Sequence, residues 1–292
     1  RPFGFETNLS SSDRESPERG RMNQLLMKSE RDLGAMVTFD ARKKIGFLNY
    51  LKLDVGVFNG QGINATGDFD NHKDFIGRLA FKPYHVSKKV IISAGTSILY
   101  GALFQNTKYR YFTGIDAGVK TTLVDSANDN VGKNSPRHYY GADVQLKFKN
   151  RKGFTELRGE FIVGEHSVLA NSNETPTALV TGKDGFHVRR FNGAYFYFLQ
   201  HLFSTKHQLL IKYDWFDPNT KVKTTEIGAV GSNFTAANIK YATLGLGYIN
   251  YMSDNVKLVL YYARVWNEKT LLTGYTTDIE DNVFTCRLQF RF

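Results

Sequence analysis

Apolar and polar residues alternate along much of the chain, as expected of β-strands, whose successive side chains point to opposite faces. From 284 to 292 every second residue is Phe, Cys or Leu, while Thr, Arg, Gln and Arg stand between them. Similar alternation covers 51–57, 75–82, 138–149, 155–163 and 209–215, and weaker alternation covers 32–40, 89–99, 187–202, 241–252 and 255–266. With a stub ending near Glu6, this pattern predicts about twelve strands, each near the ~10 residues that a tilted strand needs to cross a bilayer.

The connections between these strands alternate in length. Short connections are expected at 40–47, 85–89, 150–153, 204–207 and 253–255, and long ones at 7–31, 59–72, 100–136, 165–186, 217–240 and 267–282. Short turns on one side and long loops on the other are typical of a transmembrane β-barrel, whereas a soluble β-sandwich has no reason to sort its loops. We therefore predict an all-β fold, a transmembrane antiparallel β-barrel, with residues 1–292 as one domain.

Composition is compatible with this fold. The mean hydropathy of −0.36 is that of a water-soluble protein, but alternating strands hide an apolar lipid face in such an average. The chain has one Cys and no Cys/His spacing of a zinc site, so we expect neither a metal nor another cofactor. It begins at Arg1 without an initiator Met or a leader, which we interpret as absence of the amino-terminal part of a longer protein, or less readily as processing.

The net charge of +10 points to anionic partners. In a barrel, the polar face of each strand looks into the lumen, where a ring of Arg or Lys favours anions. The basic residues predicted to line the lumen are Lys52, Arg78, Lys82, Arg158, Arg190, Lys212, Arg287 and Arg291. For each of them, an ion pair that braces the wall is the alternative. Tyrosines at 139, 140, 195, 197, 248, 251, 261 and 262 are predicted to lie at strand ends or on the lipid face.

The segment 7–31 is rich in side chains that bind oxyanions, since Arg donors and hydroxyls suit phosphate geometry. Its candidates are Ser10, Ser11, Arg14, Arg19 and Arg21. If the segment folds into the lumen, these residues form a constriction; if it stays outside, they are ordinary solvated groups. The pattern alone leaves both possibilities open.

Several short motifs together resemble the phosphate-selective porin O and P family. They are RPFGFE at 1–6, ERG at 18–20, RDLG at 31–34, VGVFNG at 55–60, DNHKD at 70–74, GRLAFKP at 77–83, YYGAD at 139–143, YDWFDP at 213–218 and RLQFRF at 287–292. The resemblance implies a sixteen-stranded barrel that forms a homotrimer, with about four strands before Arg1, residues 1–6 as the fifth strand and 7–31 as an inward loop. It also places Ser10, Ser11 and Arg19 at the anion site, although Gly20 replaces the family's Ser.

These observations favour a passive bacterial outer-membrane channel for small inorganic or organic anions such as phosphate. A general, weakly selective porin is the first alternative, and a soluble basic binding protein is the second. We expect no enzymatic activity, because neither the motif of a nucleophilic serine nor that of a phosphate-binding loop is present. The expected partners are anions, outer-membrane lipid and further copies of the chain. Nucleic acid is not expected, because the aromatic residues alternate with the charges instead of sharing their face.

Overall fold

The computed structural model describes residues 1–41, 46–65, 67–69 and 71–291. In these ranges thirteen β-strands belong to one sheet. They are β1 (Gly34–Asp40), β2 (Leu51–Phe58), β3 (Asp74–His85), β4 (Val90–Phe104), β5 (Arg110–Asp116), β6 (Val119–Asp125), β7 (Asn134–Asn150), β8 (Gly153–Val168), β9 (Phe186–His201), β10 (His207–Asp217), β11 (Tyr241–Ser253), β12 (Val256–Asn267) and β13 (Val283–Phe290). A short helix, α1 (Arg21–Leu26), and 3-10 turns at Glu6–Asn8, Gly46–Tyr50, Asn128–Asn130, Thr224–Glu226 and Ala236–Asn238 complete the described elements.

Eleven strands pair antiparallel in chain order, from β1 through β4 and then from β7 to β13. The remaining two, β5 and β6, form a hairpin within the connection 105–133, and β5 pairs parallel with β9 over three residues. The predicted all-β antiparallel fold is confirmed. Two details differ: residues 1–6 form no strand, and the predicted loop 100–136 contains a hairpin.

The connections lie at two ends of the sheet according to their length. Those at 86–89, 151–152, 202–206 and 254–255 are short, whereas those at 59–73, 105–133, 169–185, 218–240 and 268–282 are long. Since consecutive antiparallel strands turn at opposite ends, we call these the short-turn end and the long-loop end. The predicted sorting of the loops is confirmed. Residues 42–45 of the predicted turn 40–47, Asp70 of the DNHKD motif and the terminal Phe292 lie outside the described residues.

The two faces of the sheet have the reverse of the usual polarity. On the outward face, Phe196 and Leu288 are each 51% exposed. On the inward face, Asp143, Arg158 and Lys212 are only 6%, 8% and 2% exposed. A soluble β-sandwich buries its apolar face and exposes its polar one, so the structure does not support that alternative.

The first 33 residues, which we call the inner segment, lie against the inward face. Their contacts cross the sheet: Gly4 N–H donates to Ser97 Oγ on β4 (3.0 Å), Arg158 on β8 pairs with Glu15 (3.0 Å), Lys257 Nζ on β12 donates to the Ser12 carbonyl (2.8 Å) and Arg287 on β13 to the Pro17 carbonyl (2.6 Å). Strands lie about 4.8 Å apart, so one short segment reaches all of them only if the sheet curls around it. The sheet is therefore an incomplete barrel, in which β1 and β13 each pair on one side only within the described ranges.

An apolar core joins the inner segment to the inward face. Phe3 and Met22 are fully buried, and they belong to one cluster with Tyr139, Tyr195 and Phe191. The prediction that Tyr139 and Tyr195 lie at strand ends or on the lipid face is therefore wrong, and Tyr197 and Tyr261 are buried in the same cluster. Tyr140 and Tyr262, 48% and 42% exposed, do lie on the outward face. No helix among the described residues has both the length and the apolar character needed to cross a membrane.

Candidate site on the inner segment

The inner segment passes along the curled sheet twice. It starts at the long-loop end, where Arg1 donates to the carbonyl oxygen of Gly60 at 2.9 Å. It turns near the short-turn end, where the side chain of Gln289 donates to the Ser11 carbonyl at 3.0 Å. It then returns to the long-loop end as α1, which hydrogen-bonds the connection 169–185. The segment thus has two antiparallel limbs, and both lie in the interior that the curled sheet surrounds.

The carboxylate of Glu6, which is 1% exposed, joins the two limbs to each other and to the wall. One oxygen accepts the Tyr197 hydroxyl at 2.7 Å, and the other accepts Gly20 N–H and Asn23 Nδ2, each at 2.8 Å. The ammonium of Lys212 lies 3.8 Å away. Sequence reasoning missed this residue because a single Glu in a short stub has no pattern that distinguishes it.

Glu160 on β8 fixes the first limb. Its carboxylate accepts the backbone N–H groups of Phe5 (3.0 Å) and Glu6 (3.2 Å). Gly4 turns the chain toward this carboxylate with φ of +72°, and a Cβ there would collide with the Glu160 side chain. Glycine is the residue that accepts both the positive φ and the close approach.

Of the predicted anion ligands, Ser10 and Arg19 are occupied by the protein itself. Ser10 Oγ donates to the carboxylate of Asp13 at 2.7 Å. Ser11 is exposed at the turn, where its carbonyl is the group that Gln289 binds. Arg19 donates to three backbone carbonyls of the first limb, and it pairs with Glu30. Arg19 therefore holds the fold of the segment together.

Arg14 and Arg21 differ from Arg19. Within the described ranges, neither guanidinium makes a hydrogen bond or an ion pair. The half-buried Arg14 lies near the short-turn end, and burial, followed by the nearby positive charge of Arg19, lowers the pKa of its guanidinium. The guanidinium of Arg21 lies 4.0 Å above the ring of Tyr241 near the long-loop end. Two predicted ligands thus keep N–H donors that could bind an anion.

The predicted lumen-lining residues other than Arg190 lie on the inward face, and each has an acidic partner. The pairs are Lys52–Asp54 (2.9 Å), Arg78–Asp143 (2.6 Å), Lys82–Asp40 (2.7 Å), Arg158–Glu15 (3.0 Å), Arg158–Glu156 (2.9 Å), Lys212–Asp214 (3.7 Å), Arg287–Glu18 (2.7 Å) and Arg291–Asp13 (3.7 Å). Some of these acidic partners belong to the strands of the wall, and others belong to the inner segment. The excess of positive charge on this face is therefore much smaller than the sequence pattern predicts. For these residues the structure agrees with the alternative, an ion pair that braces the wall.

Arg190 differs from the prediction. Its side chain is 60% exposed on the outward face, where it pairs with Glu165 at 2.7 Å. The neighbouring Arg189, which was not a candidate, points inward and is 4% exposed. The assignment failed because the inward face of β9 is aromatic, with Phe191 and Tyr195 packed on the inner segment. In the sequence pattern, these inward aromatic residues cannot be distinguished from the lipid-facing residues of a strand.

Comparisons with known proteins give little support to a specific assignment. No protein-family profile matches the sequence, and no curated protein matches it. Among solved structures, the NanC porin in its rhombohedral crystal form aligns with a TM-score of 0.38 and 6% identity, over 88% of this chain and 91% of that chain. So weak a likeness assigns neither a family nor an activity, and the resemblance to the phosphate-selective porins stays a prediction.

Proposed function

We propose that the chain forms the wall and inner segment of a bacterial outer-membrane channel for small anions. The observation that carries this proposal is the reversed polarity of the sheet, whose apolar side chains are exposed outward while charged side chains such as Asp143, Arg158 and Lys212 are buried on its inward face. In water, so large an apolar surface would be unfavourable and would drive association. In lipid it is the favoured outer surface of a barrel, in which the strands satisfy each other's backbone groups.

Aromatic side chains at both ends of the wall support a position in a bilayer. Near the long-loop end, the ring of Tyr213 lies 6.0 Å from that of Trp215 and 6.3 Å from that of Trp266. Near the short-turn end, Tyr50 and Tyr84 meet edge to face at 4.9 Å. Aromatic girdles at the two interfaces are a property of transmembrane barrels.

A preference for anions rests on Arg14 and Arg21. Because no carboxylate of the described residues is hydrogen-bonded or ion-paired to these two guanidiniums, their N–H groups can replace part of the hydration shell of a passing anion. Transport is then passive, since weak binding lets the ion leave. The resemblance in sequence adds phosphate as the first solute to test and a homotrimer as the assembly.

A second candidate function, a weakly selective porin, is favoured by the ion pairs on the inward face. Arg78 and Arg158, for example, are bound to carboxylates on neighbouring strands or on the inner segment. A lumen of balanced charge admits small solutes of either sign. The two candidates therefore differ in charge selectivity.

Reversal potentials in planar bilayers under a KCl gradient separate these candidates. We expect the protein to prefer chloride, and we expect Arg14→Gln to reduce the preference severalfold by removing an uncommitted donor. Arg190→Gln, which removes the same charge from the outward face, serves as the matched control and should leave the potential unchanged.

Three results of this experiment would count against the proposal. A reversal potential near zero in the unmodified protein would favour the weakly selective porin. An unchanged potential in Arg14→Gln would contradict the role of that residue, and absence of conductance would contradict both candidates.

A further inference from the structure

A cavity of about 420 Å³ opens at the long-loop end, apart from the ion pairs of the wall. Four parts of the chain enclose it: α1 of the inner segment, residues 171–174 of the connection between β8 and β9, Phe216 of β10, and the turn Ala236–Asn238 with the start of β11. None of the predicted anion ligands except Arg21 lines it. Its chemistry therefore has to be derived from its own lining.

Arg21 supplies a positive charge with open hydrogen-bonding capacity. The Cζ atom of its guanidinium lies 4.0 Å above the centre of the Tyr241 ring, a cation–π contact that uses none of its N–H donors. Within the described residues, the guanidinium has no carboxylate partner. A carboxylate can accept two of its parallel N–H groups at once.

Arg189 gives the cavity a fixed shape. Its guanidinium donates to the carbonyls of Ala170 (2.7 Å), Ser172 (3.1 Å) and Ala237 (3.3 Å), and so ties two long loops together. It also donates to Asn173 Oδ1 at 2.9 Å. Because the oxygen of this amide is occupied, Asn173 presents its NH₂ group as a second donor among the lining side chains.

The rest of the lining includes apolar side chains, of which Leu25 and Ala236 are partly exposed beside the polar groups, whereas Phe216 and Ile239 are only 2% and 1% exposed. The one acidic side chain of the lining, Glu174, is paired with Lys28. A fully hydrated inorganic anion gains nothing from the apolar part of such a surface, whereas a molecule with an apolar body and one carboxylate matches both parts.

We propose that this cavity binds small organic carboxylates with an aromatic or branched aliphatic body. Arg21 holds the carboxylate, and Leu25 and Ala236 contact the body. The inference deepens the proposed function and rests on it, in that the cavity would concentrate such anions at the entrance of the channel. Binding itself needs no conductance and can be measured separately.

Fluorine NMR of 4-fluorobenzoate with the detergent-solubilised protein tests the inference. We expect the fluorine line to broaden in a saturable way, and 4-fluorobenzyl alcohol, which lacks the charge, to broaden much less. Arg21→Gln should raise the dissociation constant by about tenfold, since it removes a charge-assisted bidentate contact. Arg31→Gln, which removes an exposed arginine from the same segment, is the matched control and should bind like the unmodified protein.

A second variant addresses the apolar part of the cavity. Leu25→Asn should weaken 4-fluorobenzoate binding and leave the reversal potential in KCl unchanged. Equal broadening in the unmodified protein and in Arg21→Gln would overturn the inference while leaving the proposed channel intact. Failure of the channel would show instead as absence of conductance in the bilayer experiment, whatever the NMR result.

Discussion

At the scale of single residues, buried ion pairs on the inward face determine which charges are structural. Arg158 is bound to both Glu15 and Glu156, and its guanidinium lies 5.1 Å from the ring centre of Phe5 and 5.5 Å from that of Tyr197. Removing one partner of such a group leaves the other charges buried without compensation, which is more costly than the pair is favourable.

We therefore predict that Arg158→Met lowers the free energy of unfolding by about 3–5 kcal/mol. Urea unfolding followed by tryptophan fluorescence would measure the loss. The control is Arg190→Met, which breaks an exposed pair on the outward face and should change stability by less than about 1 kcal/mol. Equal effects of the two substitutions would show that the inward face is not the buried one.

Alternation predicted the inward position of Arg78, Arg158 and Lys212, but not the partners that lie on other strands or on the inner segment. The partner of Arg158 on the inner segment, Glu15, lies 143 residues away in the sequence, and a period of two contains no information about which loop folds against a strand. For the same reason, the prediction placed Arg190 on the inward face, where the structure has Arg189. Where both faces of a strand are apolar, alternation cannot say which one meets lipid.

At the scale of elements, the inner segment is held by specific polar contacts in addition to its apolar core. Glu6 connects the first limb to Gly20 and Asn23 on the second. The strand count from the sequence and the family resemblance both placed this stub in a strand. The positive φ of Gly4 and the 3-10 turn that begins at Glu6 take the chain out of the sheet instead.

We predict that Glu6→Gln loosens the inner segment without unfolding the wall. The amide has a single acceptor oxygen, so it cannot accept from Tyr197 on one side and from Gly20 N–H and Asn23 Nδ2 on the other, and Lys212 loses one negative partner; the expected loss is about 1–3 kcal/mol. Trypsin should then cleave the segment at Arg14, Arg19 or Arg21 roughly tenfold faster, since cleavage follows the population of the open form. Mass spectrometry of the fragments identifies the sites.

Glu280→Gln provides the control for this experiment, because Glu280 is exposed in the connection between β12 and β13. Cleavage in that variant should match the unmodified protein. If trypsin cleaved Glu6→Gln no faster than the unmodified protein, the apolar contacts of Phe3 and Met22 would be sufficient to hold the segment.

At the scale of the whole molecule, the strands and the sorting of their connections follow from the sequence. The packing of the inner segment inside the curled sheet does not. Strand number and loop length depend on local alternation and turn residues, both of which are visible along the chain. The packing of Tyr139 and Tyr195 against the inner segment depends on the curl of the sheet. That curl is a property of all the strands together.

Cys286, the single cysteine of the chain, gives direct access to the central claim that the apolar face is the outer surface in a membrane. It lies exposed on the outward face of β13, between Phe284 and Leu288. The collision rates of a nitroxide attached there can be measured with molecular oxygen, which concentrates in lipid, and with a nickel chelate, which stays in water. A second label at Gln289→Cys, in a Cys286→Ser background, reports on the inward face.

With the protein reconstituted in lipid vesicles, the decisive measurement is the ratio of oxygen to nickel collision rates at these two positions. The account predicts a high ratio at Cys286 and a much lower one at position 289. A high nickel collision rate at Cys286, with 289 shielded from it, would mean that the apolar face meets water, and it would contradict the membrane channel.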